Sequence, residues 1–211
     1  MAVADSPANG EQKKFLEALT AALVIVHDQG PDVLCTDFTH LMDSIIRVFD
    51  YLGALMHFAK PDLLAKNESL KVASKQFKTL RELVDADRAA GTLTVKNSNA
   101  RNLHRMKCVV NFLSLLFGNL LASPDVPSCR PACTAAYNTA LAPIHTYVVQ
   151  TAVWAAFYAV PSRVDFLSSI GETEESAKEH AQDIMRWGQP LVEELDRLIG
   201  TPMPASDKTW I

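Results

Sequence analysis

Apolar residues recur every three to four positions along almost the whole chain, which is the spacing that places them on one face of an α-helix. Glycine, proline and short polar stretches interrupt this pattern and mark where helices end. The segments that keep the helical spacing are residues 11–28, 36–60, 62–90, 99–122, 133–161, 171–187 and 191–200. No segment shows the alternation that a half-buried strand requires. The sequence therefore predicts an all-α fold.

The helical segments are predicted to form one domain over residues 11–200. Residues 1–10 are polar and are predicted to be a flexible N-terminus, and residues 201–211 are predicted to be an irregular C-terminal tail. Gly188 and Pro190 are expected to divide the last helical region in two, because proline removes a backbone donor and glycine weakens a helix interior.

Composition and charge limit the possible functions. The chain has 211 residues, is 48% hydrophobic and carries a net charge of -4, so it can bury a full core and lacks the basic balance of a general nucleic-acid binder. The N-terminal residues contain no apolar signal-peptide core. The apolar runs 108–122 and 146–160 are shorter than the roughly 20 residues that span a membrane. These features predict a cytoplasmic protein.

The four cysteines are expected to stay reduced in that compartment. Residues 123–132 are rich in proline and are predicted to form a long loop. The sequence CRPAC at the end of this stretch begins with Cys129 and ends with Cys133. Their spacing matches no standard zinc pattern, so they are predicted to be a pair of loop thiols. The histidines show no metal-ligand spacing either, and the sequence predicts no metal and no cofactor.

Two arginines at the start of the most apolar helix are the first candidates for binding chemistry. Arg101 and Arg105 lie one helical turn apart, at the head of the segment 99–122. At 100° per residue, their face continues in Cys108, Phe112 and Leu116. A separate stripe, predicted to face solvent, consists of Lys107, Asn111, Ser114 and Gly118. The arginines are therefore predicted to lie above an apolar face.

Two further segments repeat this arrangement. Asp62 and Lys66 lie one turn apart, and their face continues in Ala73, Phe77, Leu80 and Val84. His145 follows the break at Pro143 and precedes a stripe of Val148, Val149, Ala152, Ala156 and Ala159. If these three helix ends converge, they form a small charged site above an apolar lining.

The residue types of this site indicate its ligand. Arginine offers paired donors to a phosphate, lysine adds positive charge, and helix N-termini favour anions. Asp62 beside a phosphate implies that the same ligand also carries donors, such as an amide N–H or a hydroxyl, and His145 can donate to a carbonyl. A phosphate, an amide and a hydroxyl above long alkyl chains describe a phosphorylated sphingolipid.

Each group also has a purely structural explanation. Asp62 and Lys66 can form an ordinary i,i+4 pair, worth about 0.2–0.5 kcal/mol. The two arginines can pair with acids of a neighbouring helix, such as Asp85 or Asp87, and His145 can be a hydrogen-bonded core histidine. Only the coincidence of the three clusters favours a ligand site.

Three segments in this order resemble the glycolipid transfer protein superfamily, most closely its plant accelerated-cell-death type that carries ceramide-1-phosphate. They are PDLLAKNESL, ARNLHRMKCVVNFLSLLF and APIHTYVVQTAV. The resemblance covers roughly residues 10–200. It implies a two-layer helical sandwich that encloses an apolar lipid pocket, without catalysis.

The resemblance also implies a role for each candidate residue. Asp62 would bind the ceramide amide N–H and the nearby hydroxyl, and His145 the amide carbonyl. The headgroup would be bound by Lys66, Arg101 and Arg105. Arg105 occupies the position at which sugar-carrying members have a tryptophan, so the resemblance implies a phosphate cargo.

One position departs from the family pattern. The family usually has a tryptophan two residues beyond the histidine, where it helps the protein dock on membranes, and this chain has Tyr147. Tyrosine also favours membrane interfaces, so Tyr147 is the docking candidate, with Trp154 and Trp210 as possible contributors.

The resemblance thus implies non-vesicular transfer of ceramide-1-phosphate by a cytoplasmic protein that contacts membrane surfaces transiently. Alternatives are a lipid-sensing adaptor that uses the same pocket and reports to a protein partner, and transfer of neutral glycosphingolipids. A phospholipid-cleaving enzyme would need a nucleophile or metal spacing that the sequence does not display. A plain helical interaction module would leave the three polar clusters apart.

Overall fold

The structure is a computed structural model that describes residues 15–205. The helices of this range are α1 Phe15–Asp28, α2 Cys35–Ile46, α3 Val48–Tyr51, α4 Lys60–Ala73, α5 Leu80–Ala89, α6 Asn99–Ala122, α7 Arg130–Ala140, α8 Tyr147–Ala156, α9 Arg163–Ser169 and α10 Glu174–Ile199. Short 3₁₀ segments lie at Ala54–Ala59, Ala142–Ile144 and Phe157–Ala159. Within residues 15–205 the only β pairing is two isolated bridges, so the predicted all-α fold is confirmed.

Helix α6 lies at the centre of the molecule. It packs against α4, α7 and α10, while α1 packs against α10 and α2, and α2 packs against α4. By length and composition alone α6 is apolar enough to cross a membrane, but 67% of its apolar window is buried inside the protein. It is the core helix around which the others are arranged.

The structure corrects one predicted face of α6. The stripe that was expected to face solvent packs on α10 instead. Lys107 is only 8% exposed and its Nζ donates to Asp196 Oδ1 of α10 at 2.7 Å. Ser114 is buried, and a Cβ on Gly188 of α10 would collide with its Oγ. Helix periodicity identified one apolar face of α6 and left the opposite face for solvent. Because α6 is central, it has neighbours on several sides, and its polar stripe is covered as well.

The predicted break in the last helix is also wrong. Helix α10 runs through Gly188 and Pro190 to Ile199. Proline costs one backbone hydrogen bond there, but the apolar side chains before and after it continue on one face and pack against α1 and α6. Gly188 has a packing role, because it allows α10 to approach Ser114 closely.

Two long predicted helices are divided. The segment 36–60 breaks after α3. Pro61 does not terminate a helix but lies in the first turn of α4, where proline is tolerated. The segment 62–90 breaks at residues 74–79, where Thr79 caps α5 through a reciprocal capping box with Glu82. The face predicted to continue from Asp62 to Val84 is therefore interrupted.

The pair of cysteines is not a pair of loop thiols. Cys129 is the residue before α7 and Cys133 lies in its first turn, and both are completely buried. Burial raises the pKa of both thiols, to about 11 for Cys129. They are unreactive core residues, because the thiolate is the nucleophile and a metal ligand must also be deprotonated.

The predicted domain limits stay a prediction. The predicted flexible residues 1–10 lie outside the described range, as do residues 206–211 of the predicted tail. Residues 201–205 follow the left-handed cap of α10 at Gly200 and contain no helix or strand. They run across the start of α6, which becomes important for the site below.

Gly53 is the position at which the backbone demands glycine most strongly. Its φ is +100° and its ψ 154°, and a Cβ there would lie 2.7 Å from the carbonyl oxygen of Ala159. This close approach brings the 3₁₀ segment Ala54–Ala59 against Phe157–Ala159. Both segments contribute to the cavity described below.

We expect Gly53→Ala to lower the free energy of unfolding by about 3 kcal/mol, because it adds both a strained φ and a clash with backbone. Urea unfolding of the variant measures this loss. Gly91→Ala is the matched control: its φ is +68° but nothing lies within 4 Å of the new Cβ, so it should lose only about 1 kcal/mol. Equal losses in the two variants would mean that the contact with Ala159 is unimportant.

Candidate functional site

One cavity brings together four of the five predicted headgroup residues. Asp62, Lys66, Arg105 and His145 all line it. Its other walls are apolar and consist of Phe49, Met56, Phe58, Ala59, Leu63, Val109, Phe112, Tyr137, Leu141, Ile144, Val149, Val153 and Phe157. The polar clusters therefore converge above an apolar lining, and the interpretation as a plain interaction module, which required them to lie apart, is wrong.

Helix α4 supplies the acid and the lysine. Pro61 in its first turn sets the backbone for the helix start, and Asp62 follows with a carboxylate, which the helix N-terminus favours. Lys66 lies one turn later and forms an ion pair with Asp62. The side chain of Asp62 is 28% exposed and that of Lys66 is 18% exposed. The pair therefore lies at the rim of the cavity, where a ligand can contact both residues.

Helix α6 supplies the two arginines, which are almost completely buried. Arg101 is 7% and Arg105 6% exposed. The Arg105 guanidinium lines the cavity and donates to the carbonyl oxygen of Pro204. Arg101 lies one turn earlier and is not among the lining residues. Its guanidinium donates to the carbonyl oxygens of Thr94, at 3.2 Å, and Ala205, at 3.1 Å.

The acids considered as partners for the arginines make other contacts. Asp85 pairs with Arg88, and Asp87 accepts from the backbone N–H of Ala100 at 2.7 Å, at the start of α6. The role of the C-terminal segment was not predictable from the sequence, because residues 201–205 lie about a hundred positions from the arginines and carry no periodic pattern.

His104 is a neighbour of the site that the sequence did not single out. Its Nδ1 lies 3.2 Å from Nη1 of Arg105. Burial, followed by the charges of Lys107 and Arg105, lowers the pKa of His104 to about 4. The ring is therefore neutral near pH 7, and a neutral imidazole nitrogen can accept a hydrogen bond from the guanidinium. His104 thereby supports the orientation of Arg105.

His145 lies between the 3₁₀ turn Ala142–Ile144 and helix α8. The side chain of Gln150 donates to the carbonyl oxygens of Ala142 and His145, at 2.9 and 3.1 Å, and so fixes the backbone of this turn. On the ring itself, Nδ1 lies 3.0 Å from the hydroxyl of Tyr137. Burial is the main cause that lowers the pKa of His145 to about 4. The site thus places a neutral imidazole opposite Asp62, Lys66 and Arg105.

The cavity beneath these groups is narrow. Its volume is about 60 Å³. Two long alkyl chains need more space, so their binding requires the apolar walls to separate. The walls that meet here come from α3, α4, α6, α7, α8 and the 3₁₀ segments. These elements pack through apolar side chains, and no disulfide joins them, because all four cysteines are free.

The chain is similar to several known proteins. The family model described as glycolipid transfer protein (GLTP) matches residues 33–172. Accelerated cell death 11 of Arabidopsis thaliana is 32% identical over 196 residues, which are 93% of this chain and 95% of the relative. The chain belongs to the glycolipid transfer protein family. The ceramide-1-phosphate transfer protein of Mus musculus is also similar, with 29% identity over 79% of this GLTP-family chain and 81% of its own length.

Solved structures show the same fold. A crystal structure of an aspartate-to-alanine mutant of Arabidopsis accelerated-cell-death 11, complexed with C12 ceramide-1-phosphate, has a TM-score of 0.83 and 31% identity. The match covers 87% of this chain and 94% of that one. The human ceramide-1-phosphate transfer protein in complex with 12:0 ceramide-1-phosphate has a TM-score of 0.78 at 20% identity, over 88% and 94% of the two chains. The predicted two-layer helical sandwich is thereby confirmed.

Large apolar side chains are exposed on the segment that follows His145 in this GLTP-family chain. Tyr147, Val148 and Tyr158 are 76%, 73% and 74% exposed, and Trp154 is 40% exposed. Aromatic side chains of this kind favour the interface between membrane and water. Tyr147 is accessible, as its predicted docking role requires, and that role stays a prediction. Trp210 lies outside the described residues.

The two neutral histidines predict how stability changes with pH. Their pKa values are about 4 in the folded protein, against about 6.5 in an unfolded chain. As the pH falls from 6.5 towards 4, the unfolded chain takes up protons that the folded protein does not, so stability is lost in this window and is fully present above it.

We therefore expect the urea midpoint to fall between pH 7 and pH 5, a range in which carboxylates contribute little. The variant carrying both His104→Asn and His145→Asn should show a smaller fall. If the two proteins respond equally to pH, these histidines are not the groups responsible.

Proposed function

We propose that this chain transfers ceramide-1-phosphate between membranes without vesicles. The observation that carries the proposal is the placement of Arg105, Lys66, Asp62 and His145 together at the polar end of an otherwise apolar cavity. The similarity to proteins named for, or crystallised with, ceramide-1-phosphate supports the same cargo.

Each polar group matches one part of this lipid. Lys66, Arg101 and Arg105 bind the phosphate, which accepts strong charge-assisted hydrogen bonds from ammonium and guanidinium groups. Asp62 accepts from the amide N–H and the nearby hydroxyl, and His145 donates to the amide carbonyl. Arg101 lies one turn from Arg105 and outside the cavity lining, and it is proposed to reach the phosphate from behind Arg105.

The energetic problem of transfer is the exposure of alkyl chains to water. Each exposed CH₂ costs about 0.8 kcal/mol, so a two-chain lipid leaves a bilayer very slowly unaided. The apolar walls below the headgroup site offer the chains a second apolar environment. No bond of the lipid is broken in this process, and the chain is accordingly proposed to be a carrier rather than an enzyme.

Transfer also requires contact with a membrane. We assign this contact to the exposed aromatic surface that includes Tyr147, Trp154 and Tyr158, which is adjacent in sequence to His145 and the cavity-lining residues of α8. The contact is transient, and the protein is otherwise cytoplasmic. A labelled protein that co-sediments with vesicles, and does so less after Tyr147→Ser, supports this assignment.

The direct test is a vesicle assay with two labelled lipids, ceramide-1-phosphate and a neutral glycosphingolipid, for the wild type and Arg101→Ala. Fast transfer of the phosphate lipid alone, slowed in the variant, is the expected result. Transfer of the neutral lipid at an equal or higher rate would show that the headgroup site selects sugars. Release of a cleaved product would show that the protein is an enzyme.

A lipid-sensing adaptor is the second candidate, because it needs the same site and the same cavity. A carrier and a sensor differ in the rate at which they deliver lipid to acceptor vesicles. A sensor binds ceramide-1-phosphate from vesicles but delivers it to acceptor vesicles no faster than spontaneous exchange does, and its affinity for a protein partner changes when lipid is bound.

A further inference from the structure

Tyr137 is buried in the wall of the cavity and contacts His145 directly. Its residue exposure is 1%, its ring packs edge-on against Phe157 with centroids 5.6 Å apart, and its hydroxyl lies 3.0 Å from Nδ1 of His145. Helix α7 supplies the tyrosine and the turn before α8 supplies the histidine, so the contact links the two elements on this side of the cavity.

The direction of this hydrogen bond follows from the chemistry of the two groups. Burial raises the pKa of Tyr137, so its hydroxyl keeps the proton. Among residues 15–205 this hydroxyl has no other hydrogen-bond partner, and a buried O–H without an acceptor is costly. The acceptor within reach is Nδ1. A neutral imidazole that accepts at Nδ1 carries its proton on Nε2.

We propose that Tyr137 is a positioning residue that fixes the tautomer and the ring orientation of His145, so that Nε2–H is the donor at the polar end of the cavity. The inference rests on the proposed function for the identity of the acceptor, which is the amide carbonyl of the lipid. In the opposite tautomer Nε2 has a lone pair, which repels a carbonyl oxygen instead of binding it.

The variant that tests this inference is Tyr137→Phe. It removes the hydroxyl and keeps the ring that packs against Phe157, so the fold is expected to persist. Two-bond ¹H–¹⁵N NMR of the protein without lipid reports the tautomer of His145. We expect an Nε2–H imidazole in the wild type and a mixture of both tautomers in the variant. An Nδ1–H imidazole in the wild type, or the same tautomer in both proteins, overturns the proposal.

Transfer rates provide a second readout. Loss of one hydrogen bond that orients a donor should slow ceramide-1-phosphate transfer by about three- to tenfold. Because Tyr137 acts through His145, the same change should have no further effect in the His145→Ala background. Effects that add in the double variant would mean that Tyr137 acts independently of His145, which contradicts the inference.

The matched control is Tyr51→Phe, which removes the same hydroxyl from a ring that packs edge-on against Phe15 and does not line the cavity. It should change neither the His145 tautomer nor the transfer rate. The two readouts also separate this inference from the proposed function. If the His145 tautomer depends on Tyr137 but ceramide-1-phosphate is not transferred, the positioning role is supported and the proposed cargo is contradicted. If Tyr137→Phe changes neither the tautomer nor the rate of transfer, only the positioning role is contradicted.

Discussion

Arg105→Trp is expected to slow the transfer of ceramide-1-phosphate by about a hundredfold. The wild-type guanidinium is 6% exposed and lines the polar end of the cavity, where it offers a phosphate several donors in a largely desolvated site. Removing one partner of a buried charge pair costs about 2–5 kcal/mol, and 2.8 kcal/mol corresponds to a factor of about a hundred. The family resemblance also implies that a tryptophan at this position suits a sugar headgroup.

The measurement is transfer between vesicles with labelled ceramide-1-phosphate and a labelled neutral glycosphingolipid in parallel. Arg81→Trp is the matched control, because Arg81 lies exposed against Asp32 and does not line the cavity. The control should transfer like the wild type. An unchanged rate in Arg105→Trp would mean that the guanidinium does not bind the headgroup and that its contacts are structural.

Val153→Trp is expected to slow the transfer of every two-chain lipid, whatever its headgroup. Val153 lies on α8, is 4% exposed and lines the apolar part of the cavity. An indole group there displaces about four methylene groups of the cargo, which is about 3 kcal/mol of lost burial and about a hundredfold in affinity. Arg105→Trp is expected to change which headgroup the protein selects, whereas Val153→Trp is expected to reduce the space available for the alkyl chains.

Binding and transfer of both labelled lipids measure this effect. The control is the same substitution on an exposed surface, Val72→Trp, where the side chain is 56% exposed on α4. Overpacking costs about 1–3 kcal/mol, so circular dichroism and urea unfolding must show that the variant is folded. If the folded variant still transfers both lipids at the wild-type rate, the alkyl chains do not occupy this cavity.

The parts of the site that the sequence predicted are those that follow from local spacing. Asp62 and Lys66 are one turn apart, as are Arg101 and Arg105, and helix geometry alone places each pair on one face. Their convergence with His145 depends on how three helices pack, which the resemblance implied and periodicity did not. The structure supplies that convergence for four of the five residues, with Arg101 one turn outside the cavity lining.

The errors have a common physical origin. Pro190 and Gly188 weaken a helix locally, but the packing of α10 on α1 and α6 outweighs that cost. The stripe from Lys107 to Gly118 is polar enough for solvent, and it lies against α10 because the central helix is enclosed by α4, α7 and α10. Tertiary packing decided both cases. The capping box of Thr79 and Glu82 follows the sequence pattern T-x-x-E, so the start of α5 was predictable from the sequence but was not predicted.

The contacts between the arginines and the C-terminal segment bear on how a carrier releases its cargo. The guanidinium groups of Arg101 and Arg105 donate to the carbonyl oxygens of Ala205 and Pro204. A phosphate that binds these donors therefore exchanges hydrogen bonds, and the net free energy is the difference between the old and the new sets. Such an exchange keeps binding weak enough to reverse. If the phosphate binds there as proposed, the same carbonyl oxygens are within reach of the guanidinium groups when it departs for the acceptor bilayer, so the buried charges regain these acceptors on delivery.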